Sequence, residues 1–249
     1  CCCILHIDAP PSGDIYLDTE GVLEQADLLE EKFTGKRSAN PFFSVSCQHY
    51  SFAVNAFVDV IKEFGGNKYN FTLRETQTFE IIEDVSFLKS EVGILYTDSK
   101  NEEIIGKLLK KNELEFSELF TAKPHVFISD KNPLYKKSRI TVKDLAPFPY
   151  LVFEQGEHSS FYFSEEPYPA IEHEKTIMVR DRATLFNLLI GLDGFTVSSG
   201  VIDEELNGDH IVARLLELDE KMRIGIITKK NVILSRYAVS YIEAVRKYI

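Results

Sequence analysis

The chain has 249 residues, and 28 Lys and Arg stand against 39 Asp and Glu, which gives a formal net charge of −11. Hydrophobic residues make up 44% and charged residues 27%, an ordinary balance for a folded protein that argues against disorder, collagen and a disulfide scaffold. No apolar run reaches the roughly 18 residues of a membrane span. The acidic balance argues against a nucleic-acid-binding surface, and the length predicts one or two domains.

The four cysteines form no recognisable site. Three are adjacent at the start of the sequence and Cys47 stands alone, without zinc-ligand spacing. This usage predicts a reducing, cytoplasmic compartment. The first residues contain no basic segment followed by a long apolar one, so they do not indicate a secretory signal. We expect residues 1–13 to be an irregular segment or a cloning remnant outside the fold.

Residues 14–40 are predicted to form an amphipathic helix followed by a short polar linker. Its apolar residues recur at helical spacing on one face: Val22, Ala26, Leu29 and Phe33. An apolar seam ahead of the main globule favours a dimerisation helix. The alternative is a helix packed on its own domain, and the pattern alone does not separate the two.

After residue 41, short apolar strands alternate with helices. The first six elements read as βαβαβα, which predicts a largely parallel sheet flanked by helices. From residue 114 onward strands follow one another more closely. The pattern predicts two α/β lobes, with residues 41–124 and 226–249 in lobe 1 and residues 125–225 in lobe 2. Such lobes enclose a cleft at the carboxyl ends of their strands, where ligands bind.

Four strand-to-helix loops should face this cleft, after strands that end near residues 46, 96, 153 and 198. Free N–H groups at a helix start, joined by serine or threonine hydroxyls, can bind an anion. The alternative for each hydroxyl is simple helix capping. Six Glu and no Lys or Arg lie between residues 154 and 174. Such a run is usually a solvated face, and it would disfavour a highly anionic ligand if it borders the cleft.

The sequence contains none of the common catalytic or phosphate-binding motifs, such as Gly-x-Ser-x-Gly, the phosphate-binding loop, His-Glu-x-x-His or Gly-x-Gly-x-x-Gly. Cys47 near His49 could suggest a thiol nucleophile, but residues two apart on a turn rarely point at each other. The remaining histidines have no metal-ligand spacing. We therefore predict a binding site without a catalytic residue, a metal or a cofactor.

The order of elements resembles the effector-binding region of LysR-type transcriptional regulators. The predicted N-terminal helix resembles the family's linker helix, which pairs subunits. Residues 125–129, the turn at 132–134 and the helix start at 141–145 resemble the passage into the second lobe, with Asn132 where His is common. Residues 181–200 resemble the segment that leads to a ligand loop, although the family's Gly-x-Gly and Pro are replaced here.

The resemblance implies a two-lobed, type 2 periplasmic-binding-protein-like α/β fold, with two mixed, mainly parallel sheets flanked by helices and preceded by a linker helix. It also implies a small-molecule effector in the cleft, self-association into a dimer or tetramer, and control of DNA binding and transcription in the intact protein. The family's winged helix-turn-helix has no counterpart in residues 1–13, so we expect DNA contact only through that missing domain, and no membrane partner.

By the same resemblance, the loop at 46–51 would hold an anionic group of the effector, Thr97 would flank it, and two loops of the other lobe would close over it. The ligand-binding candidates are Ser46, Gln48, Ser51, Thr97, Glu154, Ser159, Ser198 and Ser199. A solute-binding protein of a transporter on the same plan is the alternative function. A small-molecule enzyme is a third, less supported one, because no convergent acid/base set is evident.

Overall fold

The computed structural model describes residues 42–66, 68–158, 160–167, 173–202 and 210–249. The predicted helix in residues 14–40 lies outside the described residues. The elements of the first half are β1 (Phe42–Cys47), α1 (Ser51–Phe64), β2 (Asn70–Glu75), α2 (Thr78–Ser86), β3 (Val92–Thr97), α3 (Glu102–Lys111) and β4 (Leu114–Ala122). Those of the second half are β5 (His125–Ser129), β6 (Arg139–Ile140), α4 (Val142–Leu145), β7 (Tyr150–Phe153), β8 (Thr176–Val179), α5 (Arg182–Leu192), β9 (Thr196–Ser198), β10 (Ile211–Leu216), β11 (Met222–Lys229) and α6 (Arg236–Val245).

The first lobe is built on a five-stranded sheet in the order β2-β1-β3-β11-β4. Helices α1 and α6 pack on one face of this sheet, and α2 and α3 pack on the other. Successive side chains of β1 point to opposite faces of the sheet, so its apolar residues Phe43, Val45 and Cys47 all enter the core beneath α1. Ser44 and Ser46 point to the opposite face, where both hydroxyls bond to that of Ser90.

The second lobe contains a four-stranded sheet, β6-β10-β5-β9, and the parallel pair β7-β8. An isolated bridge between Tyr150 and Phe195 joins the two. The chain passes between the lobes twice, from β4 to β5 and from β10 back to β11. Since β11 begins at Met222, the return to the first sheet comes four residues before the predicted position 226. The division of the chain into lobes otherwise stays a prediction.

Both sheets are mixed, as predicted, but the expectation that they are mainly parallel needs correction. Of the eight strand pairings in the described ranges, four are antiparallel. The reason in the first sheet is that β11 returns from the other lobe and runs antiparallel to both of its neighbours, β3 and β4. In the second sheet, β10 and β9 both run antiparallel to β5, which lies between them. Among the described helices, none is long and apolar enough to cross a lipid bilayer.

Candidate functional site

A small cavity, partly open to solvent, lies between the two lobes. The first lobe contributes His49 and Tyr50, from the loop that joins β1 to α1. The second lobe contributes Phe127, Phe153, Glu165, Glu166, Arg182, Leu185, Phe186, Thr196, Val197 and Ser198. The walls thus combine aromatic and aliphatic side chains with a few charged and hydroxyl groups, as in typical small-molecule sites.

The residues that follow β7 reach across this cavity to the first lobe. We call the described residues between 154 and 167 the strap. The side chain of Gln155 accepts a 3.0 Å hydrogen bond from the backbone N–H of Thr78, the first residue of α2. The ring of His158 stacks on Phe79 with centroids 3.6 Å apart, and Phe163 packs against the core of the first lobe. The strap therefore closes one end of the cleft.

His49 and Glu165 form the central polar contact between the lobes. Nδ1 of His49 lies 2.9 Å from Oε2 of Glu165, and the two side chains are only 4% and 6% exposed. The backbone N–H of His49 donates to the same Oε2 at 3.0 Å, and Gln155 Nε2 donates to Oε1 at 3.3 Å. Three donors thus converge on one buried carboxylate.

The second ring nitrogen of His49 also has a hydrogen-bond partner. Nε2 lies 3.1 Å from the carbonyl oxygen of Arg180, which can only accept a hydrogen bond. Nδ1 faces a carboxylate and Nε2 faces a carbonyl, so each ring nitrogen has an acceptor, and this arrangement favours the imidazolium form. Burial lowers the pKa of His49, but the charge and the hydrogen bond of Glu165 more than offset it, so the pKa lies above its usual range.

Glu166, next along the strap, is buried beside this pair. Its carboxyl accepts hydrogen bonds from the backbone N–H of Phe153 and from the Ser164 hydroxyl, both at 2.8 Å. Burial, and then the neighbouring charge of Glu165, raise the pKa of Glu166 to about 8. At neutral pH this carboxyl is therefore mostly protonated, and the cavity wall carries one fewer negative charge than the sequence indicates.

A second ion pair joins the lobes through Arg182, the first residue of α5. Its Nη2 lies 3.0 Å from Oε1 of Glu75, at the end of β2. Burial raises the pKa of Glu75, and the charge of Arg182 works against this rise. The other terminal nitrogen, Nη1, is buried and has no hydrogen-bond partner among the described residues. Arg182 lines the cavity, and a small movement of its side chain would let this buried nitrogen donate to a bound anion.

The candidates of the first lobe do not line the cavity. Ser46 Oγ donates to Asp84 at 2.6 Å, on the sheet face beneath α2. The side-chain amide of Gln48 is hydrogen-bonded within the first lobe. Its Nε2 donates to the Thr78 hydroxyl, and its Oε1 accepts from the Tyr96 N–H and the Tyr50 hydroxyl. Ser51 and Thr97 are buried, and α1 has no side-chain cap at its start. Their roles as ligand contacts stay predictions.

Of the second-lobe candidates, Ser198 lines the cavity. Glu154 forms an ion pair with Arg180, whose side chain is 81% exposed. Ser199 is buried, and its hydroxyl accepts from the backbone N–H of Val201. Ser159 lies outside the described residues. The candidate set therefore contributes one described member to the cavity wall, and the ligand-binding role of every member stays a prediction.

Sequence reasoning missed the residues that dominate the site. His49 was not among the ligand-binding candidates, and Glu165 and Glu166 belong to a glutamate run that is usually a solvated face. The structure corrects that expectation, since both carboxyls are buried, at 7% and 1% exposure. The one feature of the sequence that could have indicated His49 is its position in a loop between a strand and a helix, where cleft residues were expected. No group of metal-binding side chains occurs in the described part of the chain.

No protein-family model and no curated protein matches the chain. Solved structures do match. HinK, a LysR family transcriptional regulator from Pseudomonas aeruginosa, matches with a TM-score of 0.55 and 14% identity over 93% of this chain and 78% of its own. Full-length OxyR from the same organism, in a variant form, gives 0.61 and 14% over 91% and 72%.

The effector-binding domain of QuiR in complex with shikimate matches with a TM-score of 0.55 and 16% identity, over 84% of this chain and 97% of its own. At these identities the matches establish the fold. The chain has the two-lobed, type 2 periplasmic-binding-protein-like fold of LysR-family effector-binding domains, as the resemblance in sequence implied. The similar structures named here are described as regulators or their effector-binding domains, not as enzymes.

Proposed function

We propose that this chain is the ligand-sensing domain of a LysR-type transcriptional regulator, and that it binds a small-molecule effector between its lobes. The observation that carries the proposal is the inter-lobe cavity, whose wall takes residues from both lobes. A ligand there has different contacts in open and closed arrangements of the lobes, and only such a difference can shift a conformational equilibrium.

The cavity chemistry favours a small effector with one anionic group and an apolar body. Arg182 offers its free Nη1, and the hydroxyls of Ser198 and Thr196 line the same space. Phe153 and Phe186 supply apolar walls. Since shikimate, a cyclic carboxylate, is the compound bound by QuiR, small cyclic and aromatic carboxylates are the first compounds to try. The other described sequence candidates do not line the cavity and would be reached only after a rearrangement.

In the intact regulator, the effector would act through a cytoplasmic dimer or tetramer, paired in part through the predicted helix in residues 14–40. Its DNA contacts would belong to a separate winged helix-turn-helix domain. The proposal includes no catalytic step and no cofactor, so a compound that binds should be recovered unchanged.

The test is a thermal-shift screen against carboxylates, amino acids, sulfur metabolites and aromatic acids, followed by calorimetric titration of each hit. A ligand that binds only the folded state raises the unfolding midpoint by mass action. We expect Arg182→Lys to weaken a hit roughly tenfold or more, since Lys cannot present the same planar donors. Arg180→Lys is the matched control, because that side chain points to solvent. Equal affinities of the two variants, or turnover of the hit, would contradict the proposal.

A further inference from the structure

The carboxylate of Glu165 is held as a bound ligand would be. It accepts hydrogen bonds from the backbone N–H and Nδ1 of His49, and a third from Gln155. Both side chains of the central pair are more than nine-tenths buried. Two of the three donors come from the first lobe, whereas the carboxylate comes from the strap. The contact therefore joins two separate parts of the fold, unlike an ion pair within one helix or strand.

The donors are set in place by contacts that do not involve Glu165. The His49 ring is fixed by its bond to the Arg180 carbonyl and by stacking on Phe153, with centroids 3.7 Å apart. Its second hydrogen is therefore aimed at a fixed point in the cleft. A buried donor that loses its acceptor costs more than an ordinary hydrogen bond is worth, so an empty site would strongly favour another anion.

The charges around the site explain why a single carboxylate suits it. Arg182 is neutralised by Glu75, and Glu166 is mostly protonated at neutral pH. The imidazolium of His49 is thus balanced by the one charge on Glu165. A dianion placed there would carry an excess negative charge into a buried setting, which is strongly unfavourable.

We propose that Glu165 is an internal ligand: its carboxylate fills a monocarboxylate site centred on His49, and this contact keeps the strap on the first lobe and the cleft closed. A free monocarboxylate takes the site when the Glu165 side chain is removed. Gln155 then loses its neighbour, while the strap keeps its bond to Thr78 and its ring contacts with the first lobe.

Binding of a free monocarboxylate at His49 needs no effector and can be tested without one. If the proposed sensing function also holds, an effector whose anionic group reaches His49 must displace Glu165, and release of the strap becomes part of the response. The apparent affinity of such an effector is reduced by the fraction of molecules in which the strap remains closed.

The experiment compares thermal unfolding of the wild-type chain, Glu165→Ala and Glu154→Ala in sodium acetate and in sodium chloride at equal ionic strength. We expect Glu165→Ala to lower the midpoint by about 5–10 °C in chloride, because a buried pair loses one partner. Acetate at about ten times its Kd should restore roughly 3–5 °C to this variant. The wild type and Glu154→Ala, whose lost carboxylate was partly exposed, should show no acetate effect. An equal response of all three proteins would overturn the proposal.

Glu165→Gln provides a second test that tolerates poor folding of the alanine variant, because it keeps the size of the side chain. In this variant the imidazole NMR signals of His49 should titrate at lower pH than in the wild type. Amide hydrogen exchange at Thr78 should become faster, since that N–H is protected by the strap. Unchanged exchange at Thr78 would show that Glu165 does not hold the strap, and the internal-ligand role would fall.

Discussion

The imidazole of His49 lies parallel to the ring of Phe153, with centroids 3.7 Å apart and planes 3° apart. Phe153 ends β7 in the second lobe, whereas His49 follows β1 in the first. A protonated imidazole gains from the negative face of an aromatic ring, and more so where water is excluded. The stacked pair therefore stabilises both the charge on His49 and the closed arrangement of the lobes.

Replacing Phe153 by Leu should remove this stacking while keeping an apolar wall. We expect the pKa of His49 to fall toward its ordinary value and the free energy of unfolding to drop by about 1–2 kcal/mol. NMR titration of the imidazole and chemical denaturation measure the two effects. Phe186→Leu is the control, since that ring lines the same cavity, whereas the ring stacked on His49 is that of Phe153. A His49 pKa that moves equally in both variants would argue against a role for the stacking.

Because the pKa of Glu166 is raised to about 8, we expect the free energy of unfolding to decrease as pH increases. The folded state holds this proton up to about pH 8, while the unfolded chain releases it near its ordinary pKa of 4.5. The stabilisation is thus complete below the unfolded value and is lost as pH rises to the folded value. Glu166→Gln should remove about 2–3 kcal/mol of the decline between about pH 6 and about pH 9. Urea denaturation across that range tests it, and a decline of undiminished slope would refute it.

A second buried carboxyl, on Glu91 directly before β3, predicts a smaller effect of the same sign. Burial raises its pKa to about 7, although its Oε2 accepts a 2.9 Å bond from the backbone N–H of Ser235. Its other oxygen is buried without a partner in the described part of the chain. Glu91→Gln should flatten the pH dependence by about 1 kcal/mol between about pH 6 and about pH 9. Exposed Glu103, replaced by Gln, should leave the curve unchanged.

Local pattern was enough for the architecture, because strands and helices leave periodic traces in sequence. The first six elements have the predicted βαβαβα order, and the last of them is the helix Glu102–Lys111. The balance of parallel and antiparallel pairs was not predictable from element order, since it depends on where β11 returns. That return brings a strand from residues 222–229 between two strands formed more than 100 residues earlier.

The site was predicted less well, for a physical reason visible in one loop. Ser46 and Gln48 stand near a strand end as expected, but internal hydrogen bonds occupy both of them. His49, one residue further, turns into the cleft and meets Glu165, 116 residues away in sequence. Nothing local distinguishes Glu165 from the other glutamates of its run. Which side chain of a polar segment becomes buried is decided by the docking of the strap on the other lobe.

Two glycines of the first lobe predict opposite effects of the same substitution. A Cβ on Gly93, in the middle of the buried strand Val92–Thr97, would lie 2.6 Å from Cγ1 of Ile227 and 2.9 Å from methyl groups of Ile81 and Val85. Gly93→Ala should lower the free energy of unfolding by about 1–3 kcal/mol, because a close-packed core resists added volume.

On Gly106, in the exposed face of the helix Glu102–Lys111, a Cβ would meet nothing within 4 Å. Gly106→Ala should therefore raise the free energy of unfolding by about 0.5–1 kcal/mol, since Ala is the better helix former. Urea denaturation of the two variants beside the wild type measures both values. Changes of the same sign at the two positions would contradict the packing described for the first sheet, because only one of the two new methyl groups has atoms to displace.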